Sequence, residues 1–285
     1  MHLSDKALLV HLAISQWTAR KLDKKATTEL INLHGASMDS GRFNKSLLPT
    51  CNTLQRVHSE TSIIRKDFYR NTLPWGIEGT FILPSANYLN FMTEFRKKRG
   101  QWESLVTDFL NEYEQAHLDA QHLLGSLYNP KDYPTLDELT HKFNMGITVL
   151  PVPSKGDFRV ELSDVEQDSV EKAIEERVAA SSRAAMDDVW QRLYDKVTWL
   201  TDRLAKPENT FKDATYKDAQ ETCALLTRLN FTGDPNLEQL RRDAEAKLFN
   251  HHPESLRNDP DLQRDVLAEA NEISRKMAAF MGGLT

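Results

Sequence analysis

The chain has 285 residues, of which 40% are hydrophobic and 27% are charged, a composition typical of a folded protein with one large domain or two smaller ones. The apolar run at residues 7–10, like every other apolar run in the sequence, is far shorter than the roughly 18 residues that cross a bilayer, and the N-terminus has no basic head with a cleavage site. The sequence therefore predicts neither a membrane span nor export. Cys51 and Cys223 lie in helical patterns without partners at metal-ligand spacing, so we expect buried, reduced thiols and a cytoplasmic protein.

The net charge of -6 conceals an uneven distribution along the chain. Residues 1–100 hold 15 Lys and Arg against 8 Asp and Glu, and the remaining residues hold 21 against 34. Such a distribution favours either of two interpretations. The basic part steers an anionic partner to one end of the molecule, or it binds the acidic part of another subunit.

Helical spacing of apolar residues predicts two helical stretches in the first 76 residues. The first covers residues 5–34, with a break near its middle, and ends at Gly35. The second covers residues 43–73 and is ended by Pro74. The β-branched and aromatic residues at 77–83 then predict a short strand.

Two long helices are predicted in the middle of the chain. A spacing near 3.5 over residues 88–127 predicts a helix of about 40 residues, roughly 60 Å long. Ser163 and Glu166 form a capping-box pattern that begins a second long helix, in which Met186, Leu193 and Leu200 recur every seven residues. We expect these two helices to pair as an antiparallel hairpin or bundle.

Shorter elements complete the prediction. Thr135 and Glu138 form a capping box for a short helix. Residues 146–152 and 158–162 flank a turn-like segment and should pair as a β-hairpin, with the 77–83 strand as a third candidate. Beyond Pro207, helices are expected at 216–229, 235–249 and 260–281, the last two behind the N-caps Asp234 and Asp259.

The predicted fold is thus mostly α, a long antiparallel helical hairpin or bundle with a small β-hairpin or sheet insertion. It divides into a basic N-terminal helical region (1–76), a long-helix hairpin with the small β element at 77–83 and 146–162 (77–206), and a C-terminal helical region (207–285).

Residues with the potential for metal or acid–base chemistry do not form a recognisable site. The pairs Glu114/His117 and Glu138/His141 have the Glu-x-x-His spacing of di-iron helical bundles, but they lie close in sequence and lack the two further glutamates such a site needs. His251 and His252 follow a predicted helix, where histidines commonly complement the helix dipole. Phosphate-binding glycine loops and nucleophile elbows are missing from the sequence. We therefore predict a protein that is not an enzyme and that has no cofactor or metal; a helical-bundle metal enzyme is the third hypothesis.

Cations and aromatic residues alternate along the two N-terminal helical stretches. This combination suits single-stranded nucleic acid, since phosphates require positive charge and unstacked bases require flat apolar rings. A simpler interpretation is that the aromatic residues belong to the core and the cations to a solvated helix face. The candidate nucleic-acid-binding residues are Trp17, Arg20, Lys21, Lys24, Lys25, Arg42, Phe43, Lys45, Arg65, Tyr69, Arg70 and Trp75.

A further basic run, residues 96–99, lies on the first long helix just before Gly100 and Trp102. Successive helical residues point around the axis, so part of this run faces solvent. Two interpretations are open: it extends a nucleic-acid track, or it meets acidic residues such as Glu171, Glu175 and Glu176 on the opposing helix.

Several segments, at 14–20, 41–49, 68–76 with 81–84, and 132–134 followed by 151–153 and 157–158, resemble a phage and prophage family catalogued as domain of unknown function 3150. The resemblance extends over the full length of the chain. It implies a bacteriophage origin and the host cytoplasm, and it supplies no activity or catalytic residue. Genes of this family can lie near a MoxR-like AAA+ ATPase and a von Willebrand factor A-type protein, which implies a macromolecular complex.

Our first functional hypothesis is a non-enzymatic, oligomeric phage protein that binds nucleic acid, preferentially single-stranded DNA, through its basic and aromatic N-terminal face. The alternative is a protein–protein adaptor or cofactor of an AAA+ (MoxR-like) ATPase or of another phage or host complex. Self-association is expected in the first case, and contact with a membrane in neither.

Overall fold

The computed structural model describes residues 3–154, 163–206 and 211–281. Its helices are α1 (Lys24–Leu33), α2 (Asn52–Asn71), α3 (Ser85–Leu124), α4 (Leu136–Thr140), α5 (Asp164–Leu204), α6 (Asp213–Leu229), α7 (Pro235–Lys247), α8 (Pro253–Asn258) and α9 (Pro260–Met281). Its strands are β1 (Ala7–Ser15), β2 (Arg20–Leu22), β3 (Asn44–Ser46), β4 (Leu73–Pro74), β5 (Phe81–Pro84) and β6 (Asn144–Pro151). The predicted fold class, mostly α with a minor β element, is confirmed.

The larger sheet has the strand order β4-β5-β1-β6, and β2 and β3 form a separate ribbon. β5 is antiparallel to both β1 and β4, with Ala7 opposite Pro84 and Leu73 opposite Ile82. The strands predicted at 77–83 and 146–152 correspond to β5 and β6, although β6 neighbours β1 and not β5. The predicted hairpin partner at 158–162 lies outside the described residues.

The helix predicted over residues 5–34 is wrong for its first half. Residues 7–15 form β1, and only the segment Lys24–Leu33 is helical. Leu8 and Leu12 fit a helical spacing, but from His11 to Ser15 exposed and half-buried residues alternate, which is the two-residue period of a strand. Pairing with β5 satisfies backbone groups of residues 7–10 in this strand.

The chain divides into two compact units, each built from several segments. Unit 1 contains the described parts of Met1–His11, Tyr69–Phe91 and Thr148–Thr285, and unit 2 contains Leu12–Phe68 and Met92–Ile147. These units cut across the three consecutive regions expected from the sequence, because strands and helices far apart in the chain pack together.

Unit 1 is centred on α5. Of the residues that recur every seven positions, Leu193 and Leu200 are buried in the core and Met186 packs partly buried against it. Val189 and Val197 are buried in the same core. The helix against which α5 packs most extensively is α9, followed by α6, so the expected pairing of α5 with the first long helix is not its main contact. The predicted C-terminal helices are confirmed as α6, α7 and α9, and Asp234 and Asp259 accept hydrogen bonds from the first turns of α7 and α9. The short helix α8 was not predicted.

The guanidinium of Arg192, on α5, holds the end of α2 within unit 1. It donates to the backbone carbonyls of Arg70 at 2.7 Å, Thr72 at 2.8 Å and Tyr69 at 3.2 Å, which are among the acceptors left open at a helix C-terminus. The same group pairs with Asp188 at 2.7 Å. A planar five-donor fork suits this task better than a lysine ammonium.

Unit 2 is built on α2 and most of α3, which run antiparallel. Three polar contacts fix their register: Thr53 donates to Glu112 at 3.0 Å, the Trp102 indole donates to Thr61 at 2.9 Å, and Lys98 pairs with Asp67 at 2.9 Å. As the residue number rises on α2, that of its partner on α3 falls. The apolar core of this pair includes Leu54, Val57, Ile64, Trp102, Val106, Phe109 and Tyr113.

None of the helices within the described ranges combines the length and the apolar character required to span a membrane.

Candidate nucleic-acid interface

The ribbon of β2 and β3 carries the first group of predicted cations, and one of them is buried. Lys45 is 5% exposed. Its Nζ lies 2.9 Å from Asp132 Oδ2 and 3.1 Å from Asp23 Oδ2. The same ammonium donates a hydrogen bond to the Leu127 carbonyl at 2.6 Å. Burial opposes its charge, but these partners outweigh burial and raise the pKa of Lys45. The prediction that Lys45 contacts phosphate is therefore wrong, because its ammonium is enclosed and saturated.

The other cations of this region remain at the surface. Lys21 is half exposed but pairs with Asp132 at 2.8 Å, and Lys25 lies 3.9 Å from Glu29. Arg20, Lys24 and Arg42 are exposed and form no ion pair with any residue in the described ranges. These three cations remain available to an anionic partner.

The predicted stacking aromatics are mostly committed to packing. Trp75 is 2% exposed, which rules out the base stacking that we predicted for it. Trp17 is half-buried and packs on Phe109 and Tyr113, with ring centroids 6.3 and 5.8 Å away. Phe43 is half-buried as well. Tyr69 is 53% exposed but belongs to unit 1. The structure thus favours the interpretation of Trp17 and Trp75 as core residues.

Arg70 also differs from its predicted role. It lies in unit 1, where its guanidinium is 3.2 Å from Glu221 and 3.7 Å from Asp218. Two acidic neighbours within the same unit offset its charge, so Arg70 is a poor candidate for a phosphate contact.

The antiparallel register of α2 and α3 creates a cluster that the sequence did not reveal. The contact between Asp67 and Lys98 places Arg65 and Lys66 of α2 at the same level as residues 96–99 of α3. We call this cluster the basic end of the helix pair; its members are Arg65, Lys66, Arg96, Lys97, Lys98 and Arg99. On α3 they occupy about 5 Å of axial rise. Arg65, Lys66, Arg96 and Lys97 are exposed and have no ion pair within the described residues.

Charge is graded along this helix pair. Around the basic end, residues 62–68 and 94–103 hold six cations against Asp67, Glu94 and Glu103. Towards the other end, residues 52–60 and 104–114 contain one cation, Arg56, and four acidic residues, Glu60, Asp108, Glu112 and Glu114. Because successive helical residues differ by about 100°, the cations surround the basic end and do not form a flat face. An anionic chain that approaches this end meets several of them at once.

The excess of positive charge in residues 1–100 does not appear as an excess of similar size in either compact unit. Unit 2 as a whole holds 15 Lys and Arg against 14 Asp and Glu, and unit 1 holds 21 against 28. Acidic residues from 101–147 fold next to the basic segments, as the contacts of Asp132 show. Positive potential is therefore local to the basic end and to the exposed cations Arg20, Lys24 and Arg42.

One member of each Glu-x-x-His pair makes a structural contact. His117 stacks on Tyr133 at 4.1 Å between ring centroids, and its Nε2 lies 2.9 Å from the Tyr128 hydroxyl. Burial lowers the pKa of His117. Glu138 closes the predicted capping box with Thr135. Across the described ranges, His, Cys, Asp and Glu side chains do not gather in threes as metal ligands would.

The two adjacent histidines lie at helix ends. His251 contacts the carbonyl of Lys247 at the end of α7, at 3.1 Å, and His252 is the N-cap of α8. The position of His251 agrees with the interpretation that such histidines complement a helix dipole. His252 differs, because its Nδ1 accepts from the Glu254 N–H at a helix N-terminus, where a positive charge is unfavourable.

Comparison of the chain with protein-family models, with curated proteins and with solved structures gave no match. The resemblance to the phage family stays a prediction.

Proposed function

We propose that this protein binds nucleic acid through the phosphate backbone, at the basic end of the α2–α3 pair. The observation that supports this most directly is the gathering of Arg65, Lys66, Arg96 and Lys97 at one level of two antiparallel helices, exposed and without ion pairs among the described residues. Lysine and arginine that neutralise phosphates release counterions, which supplies affinity without reading the sequence. The exposed cations Arg20 on β2, Lys24 at the start of α1 and Arg42 before β3 add positive charge to the same unit.

The proposal differs from the sequence-based hypothesis in one respect. A preference for single strands requires exposed rings on which bases stack, and Trp17 and Trp75 are packed into the protein. Phosphate contacts alone do not favour single strands over a duplex. We therefore expect duplex DNA to bind at least as well as single-stranded DNA of the same length.

The test is fluorescence polarisation with labelled single- and double-stranded oligonucleotides over a salt series. A variant with Arg65, Lys66, Arg96 and Lys97 changed to alanine removes two arginines and two lysines. A control with Arg183, Arg203, Lys206 and Lys212 changed to alanine removes the same charge from exposed positions in unit 1.

We expect the first variant to lose more than about tenfold in affinity at low salt, and the slope of log K against log salt to become shallower by about 3 to 4. The control should bind nearly as well as the unmodified chain. Absence of binding at low salt, or an equal loss in both variants, would contradict the proposal.

A second candidate, an adaptor that binds another protein such as an AAA+ ATPase, is favoured by a different observation. Leu30 and Leu33 of α1 and Met38 after it are exposed by 49%, 78% and 59%. Exposed apolar side chains close together in the chain are typical of protein–protein contacts. Changing Leu30 and Leu33 to serine should leave nucleic-acid binding intact, and under the adaptor hypothesis it weakens association with the ATPase in a pull-down of the two purified proteins.

A further inference from the structure

An open recess of about 500 Å³ lies in unit 1, between the end of α2 and β5. Its wall is formed by Tyr69 and by the loop that connects β4 to β5, with Pro74, Trp75, Ile77, Glu78 and Phe81 among the lining residues. This volume is within the range of about 300–1,000 Å³ typical of ligand sites.

Side chains from elsewhere in the unit hold the loop in one conformation by contacting its backbone carbonyl groups. Ser181 donates to Trp75 O at 2.7 Å, Arg177 donates to Gly76 O at 3.3 Å, and His11 Nδ1 lies 2.6 Å from Gly79 O. Gly79 has a φ of +74°, and a Cβ at this position would lie 3.0 Å from the His11 ring. A side chain at Gly79 would be strained by this φ and would require the His11 ring to shift by a few tenths of an ångström. The loop presents its outer residues in a fixed arrangement.

Two aromatic rings form a corner in the recess. The rings of Tyr69 and Phe81 lie 5.2 Å apart between centroids and meet at 61°. Tyr69 is 53% exposed and Ile77 is 51% exposed, so the corner and its neighbour are open to solvent. A ring face exposed in this way attracts a cation through its quadrupole, and a guanidinium also stacks on it.

The recess also contains a carboxylate. Glu78 is exposed, lines the recess, and has no ion pair with any residue in the described ranges. Arg177, which contacts the loop, donates to the Gly76 carbonyl. Unit 1 as a whole holds 28 Asp and Glu against 21 Lys and Arg. The carboxylate of Glu78 is complementary to a cationic ligand.

We propose that this recess binds an arginine side chain of a basic peptide segment in a partner protein, stacked in the Tyr69–Phe81 corner and paired with Glu78. The rigid loop lowers the entropy cost of binding, because little of it has to become ordered. The open shape of the recess suits an extended peptide better than an enclosed small molecule. This site does not depend on nucleic-acid binding, since it uses none of the cations of unit 2.

The test is fluorescence polarisation of a labelled Gly-Gly-Arg-Pro-Arg-Gly-Gly peptide with the full chain. A twin peptide with citrulline in place of both arginines keeps the shape and removes the charge. Three variants of the chain are compared: Tyr69→Ala, Glu78→Gln, and Glu254→Gln, which neutralises an exposed glutamate of unit 1 outside the recess. Circular dichroism checks that each variant is folded.

We expect the arginine peptide to bind and the citrulline peptide to bind more weakly. Tyr69→Ala and Glu78→Gln should each weaken binding of the arginine peptide by about two- to fivefold, and Glu254→Gln should not change it. Equal binding of the two peptides would show an apolar surface without charge recognition. An equal loss in Glu78→Gln and Glu254→Gln would show attraction by net charge alone. Either result, or no binding of the arginine peptide, overturns the proposal.

Discussion

Lys21 and Lys45 lie directly opposite each other on β2 and β3, and both ammonium groups reach Asp132. Like charges at opposed positions of a strand pair repel each other. Here the carboxylate of Asp132, which is 6% exposed, receives Lys21 on Oδ1 at 2.8 Å and Lys45 on Oδ2 at 2.9 Å. Burial opposes the ionisation of Asp132, but the hydrogen bonds from the two lysines outweigh it and lower its pKa.

Replacement of Lys45 should therefore destabilise the protein. Lys45→Met keeps the length of the side chain but leaves the carboxylates of Asp23 and Asp132 without their shared cation. Breaking a buried ion pair by removing one partner typically costs about 3–5 kcal/mol. Urea unfolding measures the loss, and Lys24→Met, at an exposed position nearby, should stay within about 0.5 kcal/mol of the unmodified chain. If the two substitutions change the free energy of unfolding by similar amounts, the buried ion pairs of Lys45 do not stabilise the protein.

The pH dependence of stability should depend on His117. Burial lowers its pKa below the usual value of 6.5, so the unfolded chain takes up this proton at a higher pH than the folded chain. The contribution of neutral His117 is complete above about pH 7 and is lost as the pH falls through 6.5 towards the lower pKa of the folded state.

Urea midpoints between about pH 7.5 and pH 5 measure this effect. We expect the decrease in stability towards acid to be smaller in His117→Gln than in the unmodified chain. His122 is exposed on the same helix, so His122→Gln should keep the decrease. If the two variants have the same pH profile, burial of His117 does not account for the loss of stability in acid.

The sequence predicted well the elements whose signals are local. The caps at Thr135, Ser163, Asp234 and Asp259 use short side chains at fixed offsets, and all four occur in the structure. The strand at residues 7–15 was missed because its apolar spacing also fits a helix and its pairing partner, β5, lies about 70 residues away. Local spacing contains no information about such a partner.

The same limit explains the candidate site. The number of cations is a property of the sequence, but their availability depends on which acidic residues fold beside them. Lys45 and Arg70 are both basic, yet Lys45 is enclosed with Asp23 and Asp132 and Arg70 pairs with Glu221. The basic end was likewise not predictable, since it arises from the register of α2 against α3.

The two Asp-Pro caps offer a matched pair of substitutions. Asp234 and Asp259 each accept from two backbone N–H groups at the start of a helix, at 2.9 and 3.3 Å for α7 and at 3.0 and 3.1 Å for α9. The second carboxylate oxygen of Asp234 also accepts a hydrogen bond from the indole of Trp190 at 3.1 Å. Trp190 is buried, with 2% of its surface exposed.

Asp259→Ala should therefore cost about 1 kcal/mol, the usual loss for a cap. Asp234→Ala should cost about 2–4 kcal/mol, because it also leaves the buried indole N–H of Trp190 without an acceptor. Denaturant unfolding measures both losses. In a Trp190→Phe background the indole donor is gone, so the two alanine substitutions should become nearly equal in cost; a difference that persists in this background would place the extra stabilisation elsewhere in the α6–α7 connection.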